Sequence, residues 1–390
     1  MAQRSRASVA ATAAAVAIGT AVGYNIANVG PAAEVVSEAY GVRLGVVGFL
    51  TTALFVTHLV MQIPGGRLVD RRGARTLASV GLAIIALGNV LALVAASLPI
   101  GIVARLIAGL GTGIGFVAGS DYVRATVGSA TAQGLYGAAA VGGGGLAIAV
   151  VPFTTSALDW RAPYATALVA ACIVLVCLPF MPRDRRRGEA SRSARAPTAD
   201  IIRDRRLYPL AVAHTASFGF SVIVGNWAVS LLQHDGYGRR LAGAVAALTL
   251  LGGLVTRPLG GRALQRWRQG AAPLLALSMV TGAGGTVLLL LDVPLSARIA
   301  GAAVLGLAAG IPFAAAFSGA QAMRPDGPGA AIGFINSCAT LVIALGTPLV
   351  GVTFSIAGHG RAGFAAIAAL WALAAVAVLP SKLARVGQPN

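Results

Sequence analysis

The sequence predicts an all-α membrane protein: twelve transmembrane helices in two pseudo-symmetric six-helix bundles, with the N- and C-termini both cytoplasmic. Three observations predict it. Hydrophobic residues make up 57% of the 390 and charged residues 11%, with a mean hydropathy of +0.80, so a water-soluble domain would have to expose a large apolar area. Twelve apolar runs are long enough to cross a hydrocarbon core about 30 Å thick, which takes about 20 helical residues. Finally, the stretch GGRLVDRRG at Gly65 to Gly73 returns 195 residues later, half the chain length, as GGRALQR at Gly260 to Arg266. Both copies follow an apolar run that ends in a polar residue and a proline, MQIP at Met61 to Pro64 and TRPLG at Thr256 to Gly260. Duplication of this kind is the mark of a two-repeat membrane architecture.

The apolar runs of the first half cover approximately 8 to 30, 44 to 64, 76 to 97, 99 to 120, 131 to 156 and 162 to 181. Those of the second cover approximately 208 to 232, 240 to 261, 271 to 291, 297 to 320, 330 to 354 and 362 to 380. Run 1 follows Arg4 and Arg6 like a signal peptide, but it stays apolar to about Gly30, longer than the roughly 7 to 15 residues of a signal core, and counts as a helix. Basic residues set the orientation. With both ends inside, 22 of the 30 fall in cytoplasmic segments and 6 in outside loops, while Arg105 and Arg257 lie within helices. The expected division is residues 1–181 as one bundle, 182–206 as a cytoplasmic Arg-rich linker and 207–390 as the second bundle. Arg, Ser and Pro in that linker cannot support a packed core and suit a segment lying on the membrane surface.

Net charge of +18 does not imply nucleic acid, because the basic residues form short clusters between apolar runs and line no polar face. Cys172, Cys177 and Cys338 all fall inside apolar runs without metal-ligand spacing, and their odd number argues against a disulfide framework. No glycine-lysine phosphate loop is present, so nucleotide hydrolysis is not expected. Neither a cofactor nor a metal is expected. Abundant Ala and Arg beside a single lysine, Lys382, suggest a bacterium with a GC-rich genome.

The turn Gly65, Gly66, Arg67, Leu68, Val69, Asp70, Arg71, Arg72, Gly73, Ala74, Arg75 resembles the signature of the major facilitator superfamily, and Gly261, Arg262 and Arg266 echo it. Arg105 with Gly109, Gly111 and Gly113 resembles the arginine and glycine ladder of that family's fourth helix. Asp159, Trp160, Arg161 and Tyr164, echoed by Gly360, Arg361 and Phe364, give a third match, and the likeness runs the whole length. It implies a carrier that works by alternating access, is not an enzyme, acts as a monomer in the cytoplasmic (inner) membrane and meets a small-molecule substrate and membrane lipid. It also implies a cytoplasmic latch of Gly66, Asp70, Arg71, Arg75 and Asp121. Ala74 stands where the family often has a basic residue, and Gln265 stands in the second copy where the first has Asp70.

Ionisable residues inside the runs are few, and none is a carboxylate near a predicted midplane. His58, Arg105, His214 and Arg257 remain. A membrane-embedded arginine is costly and tends to face an aqueous cavity or a partner, so Arg105 is read either as a cavity residue or as a clamp on helix carbonyls. Arg257 is either an anion contact or a side chain reaching back to the basic cytoplasmic end. His58 is either a proton-coupling site or a packing histidine. The cavity set expected from polar and aromatic residues of the runs that meet at the centre is Asn25, Tyr136, Asn226, Trp227 and Asn336, together with Arg105; interhelical glue is the alternative for each. Two substrate classes follow: proton-coupled export of a small organic or lipophilic compound, or carriage of a small anion such as nitrate, nitrite or cyanate. A non-transporting membrane receptor is a third reading.

Overall fold

In the computed structural model the chain is helical throughout its described residues, which are 2–127, 130–182, 198–266, 271–324 and 328–379. Among the described residues, eleven stretches are long and apolar enough to cross a membrane. One of them, the 47-residue stretch Gly134–Phe180, contains two antiparallel helices joined by the tight turn Asp159–Arg161, where Asp159 takes a positive φ of 50°. Twelve spans result, as the sequence predicts. Span 1 is Ala2–Ala27, span 2 Leu44–Arg72, span 3 Ala74–Ala92, span 4 Leu98–Thr126, span 5 Ala130–Leu158 and span 6 Ala162–Cys177. Span 7 runs from Tyr208 to His234 through a π turn at Thr215–Phe220, and span 8 is Arg239–Leu251 continued by Gly253–Arg266. Span 9 is Ala271–Leu290, span 10 Leu295–Met323, span 11 Pro328–Val352 and span 12 Arg361–Val378. The linker expected at 182–206 lies mostly outside the described residues. Its last part forms the short helix Thr198–Arg203, followed by Asp204, whose carboxyl is drawn down to about 2 by hydrogen bonds from Arg206 and by the Arg206 and Arg324 charges.

Side chains that elsewhere would be core face outward. Val60, Leu87, Val176, Leu277 and Leu373 are each more than half exposed, as a lipid-facing belt requires. Between helices, small residues take over because apolar packing against lipid gives no advantage and only close backbone approach does. A Cβ at Gly109 of span 4 would run into the Leu54 carbonyl of span 2; one at Gly306 of span 10 would run into the Leu248 carbonyl of span 8. These are the same contact made twice, once per repeat. Prolines obey the repeat as well: Pro64 in span 2 matches Pro258 in span 8, and Pro152 in span 5 matches Pro348 in span 11. Within a bundle, neighbouring helices can re-satisfy the backbone that a proline frees.

Take the face of the bundle that carries the N-terminus as the near face and the opposite one as the far face. At the far face the two halves are sewn together. A Cβ at Gly45 or Gly48 of span 2 would stand 2.9 Å from the backbone of Gly351 or Pro348 in span 11, and Thr52 Oγ1 donates to the Ala344 carbonyl at 2.6 Å. Gly30, just past span 1, packs on the backbone and side chain of Asn226 in span 7. Glu34 and His234 face each other across the same seam at 3.8 Å. Within the second half, Asp235 receives both Arg298 and Arg361, tying the far ends of spans 7, 10 and 12.

Candidate functional site

Between the halves, near the middle of the bundle, a narrow cavity of about 30 Å³ is bounded by seven spans. Spans 1, 4 and 5 supply Gly23, Ile26, Ala27, Phe116, Ala140, Val141 and Gly144. Opposite them, spans 7, 8, 10 and 11 supply His214, Phe218, Val222, Leu250, Arg257, Phe313 and Asn336. In this conformation it has room for little more than a water molecule or two, and like small-molecule pockets it is mostly apolar with a few convergent polar groups.

Local sequence explains the shape. In the first half the wall is smooth because glycine and alanine dominate: Gly23 lies against the Ala140 carbonyl so closely that spans 1 and 5 touch backbone to backbone. Span 7 contributes the opposite kind of wall. Its π turn at Thr215–Phe220 inserts an extra residue into one helical turn and re-aims the side chains around it, a device common at functional sites. His214, Phe218 and Val222 line the cavity on either side of it.

Three polar side chains converge there. His214 Nε2 lies 3.1 Å from Asn336 Oδ1, and because an amide oxygen only accepts, Nε2 carries the proton and Nδ1 holds a lone pair. That Nδ1 has no partner, nor has Asn336 Nδ2. Phe218, Phe313 and Phe317 surround the ring at 5.0 to 5.7 Å between centroids. Arg257 crosses from the second half to the first, donating from Nη1 to the Gly137 carbonyl at 2.7 Å while its guanidinium lies 4.0 Å over the Phe313 ring. Arg257 Nε is buried and unpartnered. Phe313 also covers Gly137, where an added Cβ would meet its ring at 2.6 Å. Gly137, Arg257 and Phe313 therefore form a contact between the halves on the near side of the cavity.

Of the residues expected to line a cavity, Asn336 does and Arg257 joins it. Arg105, Asn25, Tyr136, Asn226 and Trp227 lie elsewhere. Arg105, 1% exposed, donates from Nη1 to the Asn25 carbonyl and to Asn28 Oδ1, both at 3.0 Å, and from Nε to the Leu50 carbonyl at 3.3 Å. It clamps spans 1, 2 and 4. Asn25 is fully used, donating to the Ala21 and Ala167 carbonyls and accepting from Asn89. Tyr136 donates to the Phe116 carbonyl at 2.7 Å, one layer behind the wall. Asn226 accepts from Thr51, and Trp227 donates to the Thr347 carbonyl at 2.8 Å, so both belong to the far-side seam or its neighbours.

His58, 1% exposed, sits between spans 2 and 4 with Nδ1 3.1 Å from Thr112 Oγ1. Since the Thr112 hydroxyl already donates to the Gly109 carbonyl, His58 Nδ1 is the donor. Phe116, whose ring lies 6.0 Å away, separates it from the cavity. At the near-face turn, Gly66 faces Val117 of span 4, Arg71 is exposed, and Arg75 donates to the Met181 carbonyl at 2.7 Å, tying span 3 to the end of span 6. Asp121 is half-buried at the near end of span 4, while the Asp70 side chain lies outside the described residues.

His214 and the phenylalanines Phe116, Phe218 and Phe313 were not in the expected cavity set. The available signal was the position of His214 in a span that meets the centre.

The sequence profile of the Major Facilitator Superfamily matches residues 15–347, from within span 1 to within span 11. A comparison with curated proteins gave no match.

Proposed function

Because this chain belongs to the major facilitator superfamily, and is thus a multi-pass membrane transporter and not an enzyme, we propose that its solute is a small organic compound with a largely apolar body, exported by proton-coupled alternating access across the cytoplasmic membrane. The observation that carries this reading is the cavity itself, enclosed by spans from both halves and walled by aromatic and aliphatic side chains. With the far face joined by spans 1, 2, 7 and 11, the conformation is one closed on that side. The basic-residue asymmetry supports the far face as the outside, and on that orientation this is an inward-facing or occluded stage of the cycle. Rocking of the halves would then part the Gly45–Gly351 and Gly48–Pro348 contacts and remake others on the near side.

Coupling to protons is supported by elimination. Among the described residues the cavity lining holds no carboxylate, and of the four histidines His58 and His214 lie within the spans, away from their ends. His58, hydrogen-bonded on one nitrogen and one aromatic ring from the cavity, is the coupling group in this reading. Purified protein in liposomes, given a labelled solute selected by thermal shift, tests it. His58→Gln is expected to abolish accumulation driven by a pH gradient while leaving exchange of solute across the membrane intact. Full gradient-driven accumulation by the variant would end the role assigned to His58.

A further inference from the structure

We infer that the transported compound is an organic carboxylate carrying a hydroxyl or N–H donor on a compact aromatic or branched body, held by Arg257, Asn336 and His214. The inference rests on the reading of the central cavity as a solute site and names the chemistry of its occupant.

Arg257 is the starting point. It is 3% exposed in the middle of a membrane protein, and no carboxylate pairs with it among the described residues. Only Nη1 has a hydrogen-bond acceptor, the Gly137 carbonyl, and Phe313 covers one face of the guanidinium. Nε is left without an acceptor. A buried cation of this kind is retained only where something compensates it, and a carrier has one compensating group that comes and goes, the solute. Arg105 differs in degree and in place: three oxygens of the protein accept from its Nε and Nη1, only its Nη2 is left without a partner, and it lies away from the cavity.

Two further groups sharpen the choice. Asn336 Nδ2 is a donor with no acceptor at 2% exposure, and His214 Nδ1 is an acceptor with no donor at 1%. All three residues line the same cavity, and His214 and Arg257 both lie against the Phe313 ring, at 5.7 and 4.0 Å. A carboxylate oxygen pair satisfies Arg257 and Asn336, since it only accepts and suits the planar guanidinium. A hydroxyl on the same molecule donates to His214 Nδ1. The remaining wall, Phe116, Phe218, Phe313, Ile26, Val222 and Leu250, takes an apolar body, which an inorganic anion such as nitrate lacks. An organic cation would meet Arg257 as a like charge.

The test uses the purified full-length chain in detergent with 3-hydroxybenzoate, benzoate, 3-hydroxybenzamide and sodium nitrate as probes, followed by thermal shift and calorimetric titration. The expected order of affinity is 3-hydroxybenzoate, then benzoate, then the amide, with nitrate without effect. Arg257→Gln is expected to weaken binding of the two acids about 10- to 100-fold, the range for a lost charge-assisted hydrogen bond. Arg257→Lys, which keeps the charge, controls for folding and is expected to retain part of the affinity. Equal binding of amide and acid, acid binding unchanged in Arg257→Gln, stabilisation by nitrate in place of the acids, or no binding by either acid would each overturn the inference. Equal binding of the amide would leave the cavity as a solute site standing. Failure of the cavity to open to both faces would instead remove the carrier reading, whatever it binds.

Discussion

Gly23→Val is expected to abolish the folded protein. A Cβ at position 23 would fall inside the Ala140 carbonyl, and the next residue along that seam behaves the same way, with Gly143 set against the Thr20 carbonyl. The obstructing atoms are backbone, so no rotamer change relieves them. Spans 1 and 5 would have to separate along their length, taking apart the first-half wall of the cavity. Overpacking a tight core costs about 1 to 3 kcal/mol and occasionally more, and here the valine adds two methyls beyond a Cβ that already has no room. Gly23→Ala should lie between the two, with a lowered Tm but recoverable protein. The check is the yield of monodisperse protein in detergent and its thermal midpoint. Gly23→Val protein of wild-type yield and Tm would show that the two helices are not in backbone contact.

Arg105→Gln is expected to behave as a stability variant. The guanidinium satisfies the Asn25 and Leu50 carbonyls and Asn28 Oδ1, all in a buried seam where spans 1, 2 and 4 meet. Gln offers one amide in place of that fork, and a buried acceptor left without its donor costs about 1 to 3 kcal/mol. With at least two of the three acceptors orphaned, a loss of about 3 to 5 kcal/mol is expected, comparable to breaking other buried charged contacts. Lysine should rescue little, because a single ammonium on a flexible stem cannot span acceptors on three helices. Thermal unfolding in detergent measures it. An unchanged Tm accompanied by lost solute binding would return Arg105 to the cavity.

These two variants mark where the sequence was legible and where it was not. Span number, the repeat and the lipid-facing surface follow from apolar run length and from the two basic turns, because in a bilayer each backbone polar group must be satisfied within its own helix. Glycines at 23, 109 and 143 could be read as close-approach positions from residue type alone. Which asparagine lines the cavity could not. Asn25 and Asn336 are the same residue type and equally buried, and what separates them is whether a neighbouring helix presents partners: Ala167 and Asn89 do so for Asn25, while Nδ2 of Asn336 finds none. The two arginines divide in the same way. Arg105 meets three oxygens of neighbouring segments, whereas Arg257 meets one, the Gly137 carbonyl across the seam. His214 owes its place to a π turn in TASFGF, a register change that helical periodicity does not announce.

Sided access to Val141 tests the central claim most directly. Val141 lines the cavity, and Cys172, Cys177 and Cys338 are free thiols that must first be replaced. In such a background, Val141→Cys in vesicles of each orientation is expected to react with a membrane-impermeant maleimide from both faces. A disulfide between Thr52→Cys and Ala344→Cys, which replace side chains already in the far-face seam, should then abolish labelling from the far face while sparing the near face. Labelling from one face only, or far-face labelling that persists with the disulfide closed, would contradict a cavity opened alternately by rocking of the two halves.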